Sequence, residues 1–212
     1  MKTYQAFPVV LFALACLTAC SGRSPQPKYY LLGEEQPVVV PLPGNRPAIV
    51  LHQFSLPSYL DRDSLVLRSD GSVQVVVAEY HLWAEPLNKA APRLLEETMR
   101  PILQEKGLNL LWRDTADADL LVDVALLRLD GAPGSSAAIS ARWRIVDSTG
   151  VLLAQGLFTR ETDAGDSHAS MVRALSRLLA DFGRALVQAS GEACEWRAAQ
   201  SRDGTGKKKK DR

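Results

Sequence analysis

The chain predicts an α/β (α+β) sandwich, in which two main helices cover a mixed, mostly antiparallel sheet. Three observations carry this. Apolar residues recur at spacings of three and four over Leu87–Leu103 and again over Met171–Leu186, the signature of helices with one buried face. Between them Leu120–Leu129, Ile139–Val146 and Val151–Thr159 have strand composition and are separated by turn residues. The 212 residues suffice for one domain with a sizeable core, and no internal repeat divides them.

Met1 and Lys2 give a short positive start, and Phe7–Leu17 is almost wholly apolar. That run of about eleven residues is too short to span a bilayer as a helix but suits a secretory segment. It closes on Leu17-Thr18-Ala19-Cys20, with small residues ahead of the cysteine. The pattern predicts a lipoprotein signal peptide over residues 1–19 and lipid attachment at Cys20, as diacylglycerol on the thiol and an acyl chain (palmitate class) on the new N-terminus. The alternatives are an ordinary signal peptide with an incidental cysteine, or an uncleaved anchor. Two acyl chains, at about 0.8 kcal/mol per buried CH₂, would hold the protein on a membrane essentially permanently. Ser21, rather than Asp, follows the cysteine, which by the sorting convention favours the outer over the inner membrane. Residues 20–28 are small, polar and Pro-containing, a tether reaching at most ~28 Å.

The domain is expected over residues 29–190. Tyr29–Leu32 is a first strand, and Gly33–Pro47, with four prolines, an extended loop. Ala48–Phe54 is a second strand. Leu65–Arg68 and Val73–Ala78 flank Ser69-Asp70-Gly71-Ser72, a hairpin signal. The first helix opens at Pro86, and Pro92 and Pro101 predict a kink or a late start. Leu108–Trp112 is a short strand, and Leu120–Leu129 is apolar on both parities, as a central strand is. Over Ile139–Val146 the apolar side chains alternate with Ser140, Arg142 and Arg144. Asp147-Ser148-Thr149-Gly150 turns the chain into Val151–Thr159, making an antiparallel meander. Asp166 or Ser167 caps the second helix. The remainder, 191–212, ends in Lys207–Lys210 and is expected to be a disordered basic tail, solvated or touching anionic lipid.

Residues 20–196 hold 17 basic and 22 acidic side chains, and the last sixteen residues seven basic and two acidic. An acidic domain excludes nucleic acid as the expected partner. Cys16 leaves with the signal peptide and Cys20 is lipidated, so Cys194 has no intramolecular disulfide partner.

The motifs of phosphate loops, nucleophile elbows, zinc proteases and paired-cysteine redox sites are absent. Gly131–Ser136 lacks the lysine of a phosphate loop and reads as a turn. His52, His81 and His168 are widely separated and are expected as unrelated buried or surface histidines. Asp61 and Asp63 start a calcium-loop spacing that fails at Leu65, and Asp114, Asp117 and Asp119 fit a solvated turn. The chain is therefore read as a non-enzyme, with no metal site and no cofactor beyond the lipid on Cys20. Candidate partner-binding residues are Tyr59, Leu60, Asp61 and Arg62 in a loop and Trp83, Glu85, Pro86 and Leu87 ahead of the first helix, because exposed Tyr and Trp anchor interfaces. The alternative is that Tyr59 and Trp83 cover the ends of the core.

The lipobox cysteine, Tyr29-Tyr30-Leu31-Leu32, Leu56-Pro57-Ser58-Tyr59-Leu60-Asp61-Arg62, Leu82-Trp83-Ala84-Glu85-Pro86-Leu87, Leu121-Val122-Asp123-Val124 and Ala141-Arg142-Trp143 occur in the order that resembles the PqiC-type auxiliary lipoproteins of ABC-like, MCE-domain transport systems. The resemblance spans roughly residues 12–190. It implies a fold similar to the N-terminal domain of TolB-like proteins and an envelope protein working with an MCE-domain partner and a permease in lipid transport. A homo-oligomer is compatible with it. The leading expectation is an outer-membrane lipoprotein docking the periplasmic end of such a transporter. The other classes are a periplasmic lipid-binding carrier and a lipoprotein activator of a cell-wall synthase.

Overall fold

The computed structural model describes residues 25–33, 46–111 and 115–208, with side chains through residue 199. The signal peptide, Cys20, most of the Pro-rich loop and Trp112 lie outside the described residues. In chain order the elements are β1 (Lys28–Tyr30), β2 (Ala48–Ser55), β3 (Ser64–Leu67), β4 (Val76–Trp83), α1 (Leu87–Glu105), β5 (Asn109–Leu111), β6 (Leu120–Gly131), β7 (Ser136–Asp147), β8 (Leu152–Asp163) and α2 (His168–Lys208).

Strand β6 organises the sheet. Along one edge it pairs antiparallel with β7, which pairs antiparallel with β8, so the expected meander is present. The turn between β7 and β8 holds because Asp147 Oδ1 accepts the Thr149 N–H at 2.8 Å and the Val151 N–H at 3.0 Å, while Gly150 takes a φ of +86° that few other residues tolerate. Along its other edge β6 meets β2 in parallel over Leu120–Ala125 and the end of β3 in parallel at Gly131. Beyond β2 lies β5, in parallel, and beyond β3 lie β4, antiparallel, and then β1, parallel to β4. The sheet is thus mixed, and its two longest ladders are antiparallel. The expected hairpin is β3–β4, and β4 runs further than expected, through His81 to Trp83.

Both helices pack on one face. Helix α1 lies on β2 and β5, α2 on β6, β7 and β8, and the two helices on each other. Leu94, Leu95, Met99 and Leu103 of α1 are fully buried, each contributing about 1.5–3 kcal/mol of transfer free energy. Helix α1 starts at Leu87 and encloses both Pro92 and Pro101, so the prolines impose no late start. Each removes one backbone donor and frees the carbonyl four residues earlier. Those carbonyls belong to Asn88 and Glu97, whose residues are exposed and half-buried, where water can satisfy them. At the helix crossing Gly183 admits Thr98, whose Cγ2 would lie 3.3 Å from a Cβ placed there.

Helix α2 begins at His168 with Ser167 as its cap. Ser167 Oγ accepts the Ser170 N–H at 3.1 Å and Ser170 Oγ accepts the Ser167 N–H at 3.0 Å, a reciprocal arrangement that satisfies two orphan donors. The helix does not stop near residue 190 but continues to Lys208, which corrects the expected disordered tail over that stretch. The reason is partly contact: Ala193 is buried, and Arg197 Nη1 donates to the Asp119 carbonyl at 2.9 Å and to Asp119 Oδ1 at 3.1 Å. Ala193, Glu195, Arg197, Ala198 and Ala199 are also strong helix formers. None of the described helices is long and apolar enough to cross a membrane.

Candidate functional site

The helices cover one parity of each strand in the meander, and the other parity faces out. Val122, Val124, Ala141 and Ile145 are buried on the helix side, and Phe158 meets Phe182 of α2 with ring centroids 5.2 Å apart. The register then sets two rows across the opposite face. Gln53, Asp123, Arg144 and Gln155 form one, and Ser55, Ala125, Arg142 and Leu157 form the next. Together with His52 these rows border a depression of about 900 Å³.

His52 is there because of a bulge. Leu51 pairs with Val122 and Gln53 with Asp123, which leaves His52 as an extra residue in β2, and bulges re-aim the side chain they carry. Its Nδ1 lies 3.0 Å from Asp123 Oδ1, while Arg144 donates to Asp123 Oδ2 from Nε at 2.9 Å and approaches it with Nη2 at 2.8 Å. Asp123 is 9% exposed, so this charge is held by hydrogen bonds from both sides, as a nearly buried carboxylate requires. Arg142, one row on, has no acidic partner among the described residues. Beside it Leu157 is 63% exposed. On the helix side of the same strands the Trp143 ring lies against Gly156, so closely that a Cβ on residue 156 would stand 2.8 Å from Trp143 Cζ2.

The sequence-predicted partner residues lie elsewhere, at the junction of β4 and α1, where the structure brings their two segments together. The Trp83 N–H donates to the Asp63 carbonyl at 2.6 Å, and Asn88 Nδ2 donates to Asp61 Oδ1 at 3.1 Å. Leu60, Trp83 and Leu87 are 2%, 7% and 2% exposed, so their side chains belong to the core and not to an open surface. Asp61, Arg62 and Pro86 are exposed. Glu85 pairs with Arg93 at 3.0 Å, and Arg93 also binds Glu97 and the Leu32 carbonyl, each at 3.0 Å. The loop segment is anchored through Tyr59, whose hydroxyl donates to Asp130 Oδ2 at 2.8 Å. Asp130, with a side chain 0% exposed, also receives Arg68 Nε at 3.2 Å and Arg128 Nε at 2.7 Å. Burial, and then the hydrogen bond to and charge of Asp130, push the Tyr59 phenol well above its usual range, with Arg68 and Arg128 offsetting part of this.

Two of the three histidines gather. The His81 and His168 rings stack at 3.6 Å between centroids, and Tyr30 Oη lies 2.7 Å from His81 Nδ1. Burial, then the neighbouring His81 and Lys28, lower the His168 imidazole below its usual range. Cys194 is half-buried, and burial followed by Asp119 raises its thiol. Among the described residues no three His, Cys, Asp or Glu side chains converge as metal ligands.

Sequence reasoning placed Arg142 and Arg144 on one face but gave that face no role, and missed His52, Asp123, Gln155 and Leu157. The alternation of β7 and the single Asp within the apolar Leu120–Leu129 run were signals of it. The bulge that delivers His52 leaves no mark in β2 alone, because it is defined by the partner strand.

Comparisons with known proteins agree with this architecture. Among solved structures, an uncharacterized protein superposes with a TM-score of 0.64 at 22% identity, covering 77% of this chain and 98% of its own. Protein XCC0632 from Xanthomonas campestris gives a TM-score of 0.62 at 16% identity, covering 81% of this chain and 99% of its own. At these identities the likeness is one of fold. No curated protein matches the chain. The family model of the ABC-type transport auxiliary lipoprotein component matches residues 30–187, which takes in nearly every element from β1 to the packed part of α2; the chain belongs to that family.

Proposed function

We propose that the protein is a lipoprotein subunit of an MCE-type, ABC-like lipid transport system, anchored through Cys20 in the outer membrane of a Gram-negative envelope and facing the periplasm. In this reading it carries no catalytic activity. It docks the periplasmic end of an MCE-domain protein that works with a permease, and so supports envelope integrity. The observation that carries the reading is the family match across the whole domain, preceded in the same chain by Leu17-Thr18-Ala19-Cys20.

The docking surface is assigned to the β4–α1 junction. Asp61, Arg62 and Pro86 present it, Tyr59 and Glu85 border it, and the buried Leu60, Trp83 and Leu87 hold it rigid. Preorganised backbone lowers the ordering cost of an interface. The short tether, reaching at most ~28 Å, keeps that surface close to the membrane.

The test is a crosslinked pull-down of the lipidated protein from envelopes, identified by mass spectrometry, with Cys20→Ala as control. Recovery of an MCE-domain protein, reduced in the control, is the expected result. Recovery of cell-wall synthases, or of nothing reproducible, overturns the reading.

A further inference from the structure

Four valines stand exposed at one end of the sheet, and docking at the β4–α1 junction does not use them. Val73, between β3 and β4, is 97% exposed, and Val75, Val76 and Val77 after it are exposed as well. Successive residues of a strand point to opposite faces, so with Val76 and Val77 both exposed this end of the hairpin is uncovered on both sides. Single exposed apolar residues are ordinary, whereas the run Val73-Gln74-Val75-Val76-Val77 is a patch. It carries no charge. The backbone of its one polar residue is satisfied locally: Ser72 Oγ accepts the Gln74 N–H at 3.0 Å and donates to the Gln74 carbonyl at 3.1 Å. The acid of the preceding turn, Asp70, is tied to the β6–β7 turn, its N–H donating to Ser135 Oγ at 3.2 Å and its carboxylate accepting from Ser136.

The chain from Cys20 enters the sheet from this same end. Strand β1 is parallel to β4 and begins with Lys28 opposite His81, so the residues ahead of it arrive from the direction of Val76. His81 lies five residues beyond Val76, about 17 Å along the strand. The tether over residues 20–28 reaches up to ~28 Å, enough to bring the hairpin end down to the lipid with slack to spare. We infer that the Val73–Val77 end of the β3–β4 hairpin inserts into the leaflet that holds the lipid on Cys20, seating the domain end-on against the bilayer. Insertion takes the valines out of water, and the tether makes the step intramolecular, so a patch too small to hold a free protein is sufficient. Glu79 and Tyr80, two and three residues past Val77, fall at headgroup depth, where Tyr is favoured. The β7–β8 turn lies at the other end of the twelve-residue β7, about 36 Å along the strand from Ser136, and is held away from the membrane.

The inference rests on lipid attachment at Cys20 and not on any transport partner, and its test contains no transporter. The full lipidated chain, with Cys194→Ser, is reconstituted in phosphatidylethanolamine–phosphatidylglycerol vesicles. It carries one NBD fluorophore, on Val73→Cys or on Thr149→Cys in the β7–β8 turn, and the quencher is a phospholipid with a nitroxide high on its acyl chain. Flotation of the vesicles first shows that the protein is anchored. The expected result is strong quenching at position 73 and little at 149. Adding Val76→Asp to the Val73→Cys protein should lower the ratio of inserted to free hairpin about tenfold, because a carboxylate resists burial among lipids. Flotation without quenching at 73, equal quenching at 73 and 149, or quenching unchanged by Val76→Asp overturns the inference alone. So does a blue-shifted fluorophore at 73 that the nitroxide leaves untouched and that depends on protein density, since a second copy then covers the valines. Failure to float overturns the lipid anchor, and the inference with it.

Discussion

Replacing Tyr59 by Phe removes one hydroxyl and decides what the Tyr59–Arg62 segment is for. That hydroxyl donates to Asp130 at 2.8 Å, and the acceptor is a carboxylate with no exposed side-chain surface. A hydrogen bond to a charged group contributes about 1.5–3 kcal/mol. Asp130 keeps Arg68 and Arg128 after the change, so Tyr59→Phe should cost about 2 kcal/mol, near the lower end. For a domain of this size that is a fall of roughly 4–8 °C in Tm. Asp130→Asn should cost more, about 3 kcal/mol, because it leaves two guanidiniums without their counter-charge; each Arg side chain is 25% exposed, so water limits the loss to the low end of a broken buried pair. The two changes share one bond, and a double-mutant cycle should return a coupling of about 1.5 kcal/mol. The assay is urea unfolding of the four proteins followed by circular dichroism. Additive effects, with Tyr59→Phe within about 0.5 kcal/mol of the parent, would refute the argument that Tyr59 holds its loop through Asp130.

Other perturbations follow from single contacts. Trp83→Ala should destabilise the domain by about 3–5 kcal/mol, as for other aromatic truncations in cores, read as a lower urea midpoint; an unchanged midpoint with weakened partner capture would make Trp83 a docking anchor instead. Gly156→Ala should displace the Trp143 ring and cost about 1–3 kcal/mol, visible as a shifted indole N–H resonance; an unmoved resonance would contradict the close contact. His168 has its pKa lowered by burial and by His81 and Lys28, so the unfolded chain takes up the proton first as pH falls. Stability should therefore be level above about pH 6.5 and decline below it, and His168→Gln should flatten that decline; an identical slope in the variant would contradict the assignment.

The parts of the fold legible in the sequence are those fixed by local pattern. The β6–β8 meander could be read because Asp147–Gly150 and Gly131–Ser136 mark its turns and Arg142 and Arg144 alternate with apolar neighbours. The α2 cap could be read because Ser167 precedes the periodic run. What could not be read depends on distant partners. Parallel pairing of β2 with β6 sets no local signature, and with it goes the bulge that aims His52 at Asp123. The extension of β4 to Trp83 was hidden because His81, Leu82 and Trp83 pair with β1, a strand about fifty residues earlier in the chain. Prolines at 92 and 101 argued for a kink or a late start, yet the helix runs from Leu87 to Glu105 through both. The end of α2 was masked by its charge, although Arg197 reaches back to Asp119. At the junction site, the sequence left Tyr59 and Trp83 open between interface anchors and covers for the ends of the core; Trp83 and Leu60 are buried, while Asp61, Arg62 and Pro86 are exposed.

The most direct test of the account places a photocrosslinking amino acid at Arg62, at Pro86 and at Leu157 of the lipidated protein in living cells. Docking through the β4–α1 junction predicts crosslinks from positions 62 and 86 to an MCE-domain protein, and none from 157. Silence at 62 and 86, with protein crosslinks at 157 alone, would contradict it.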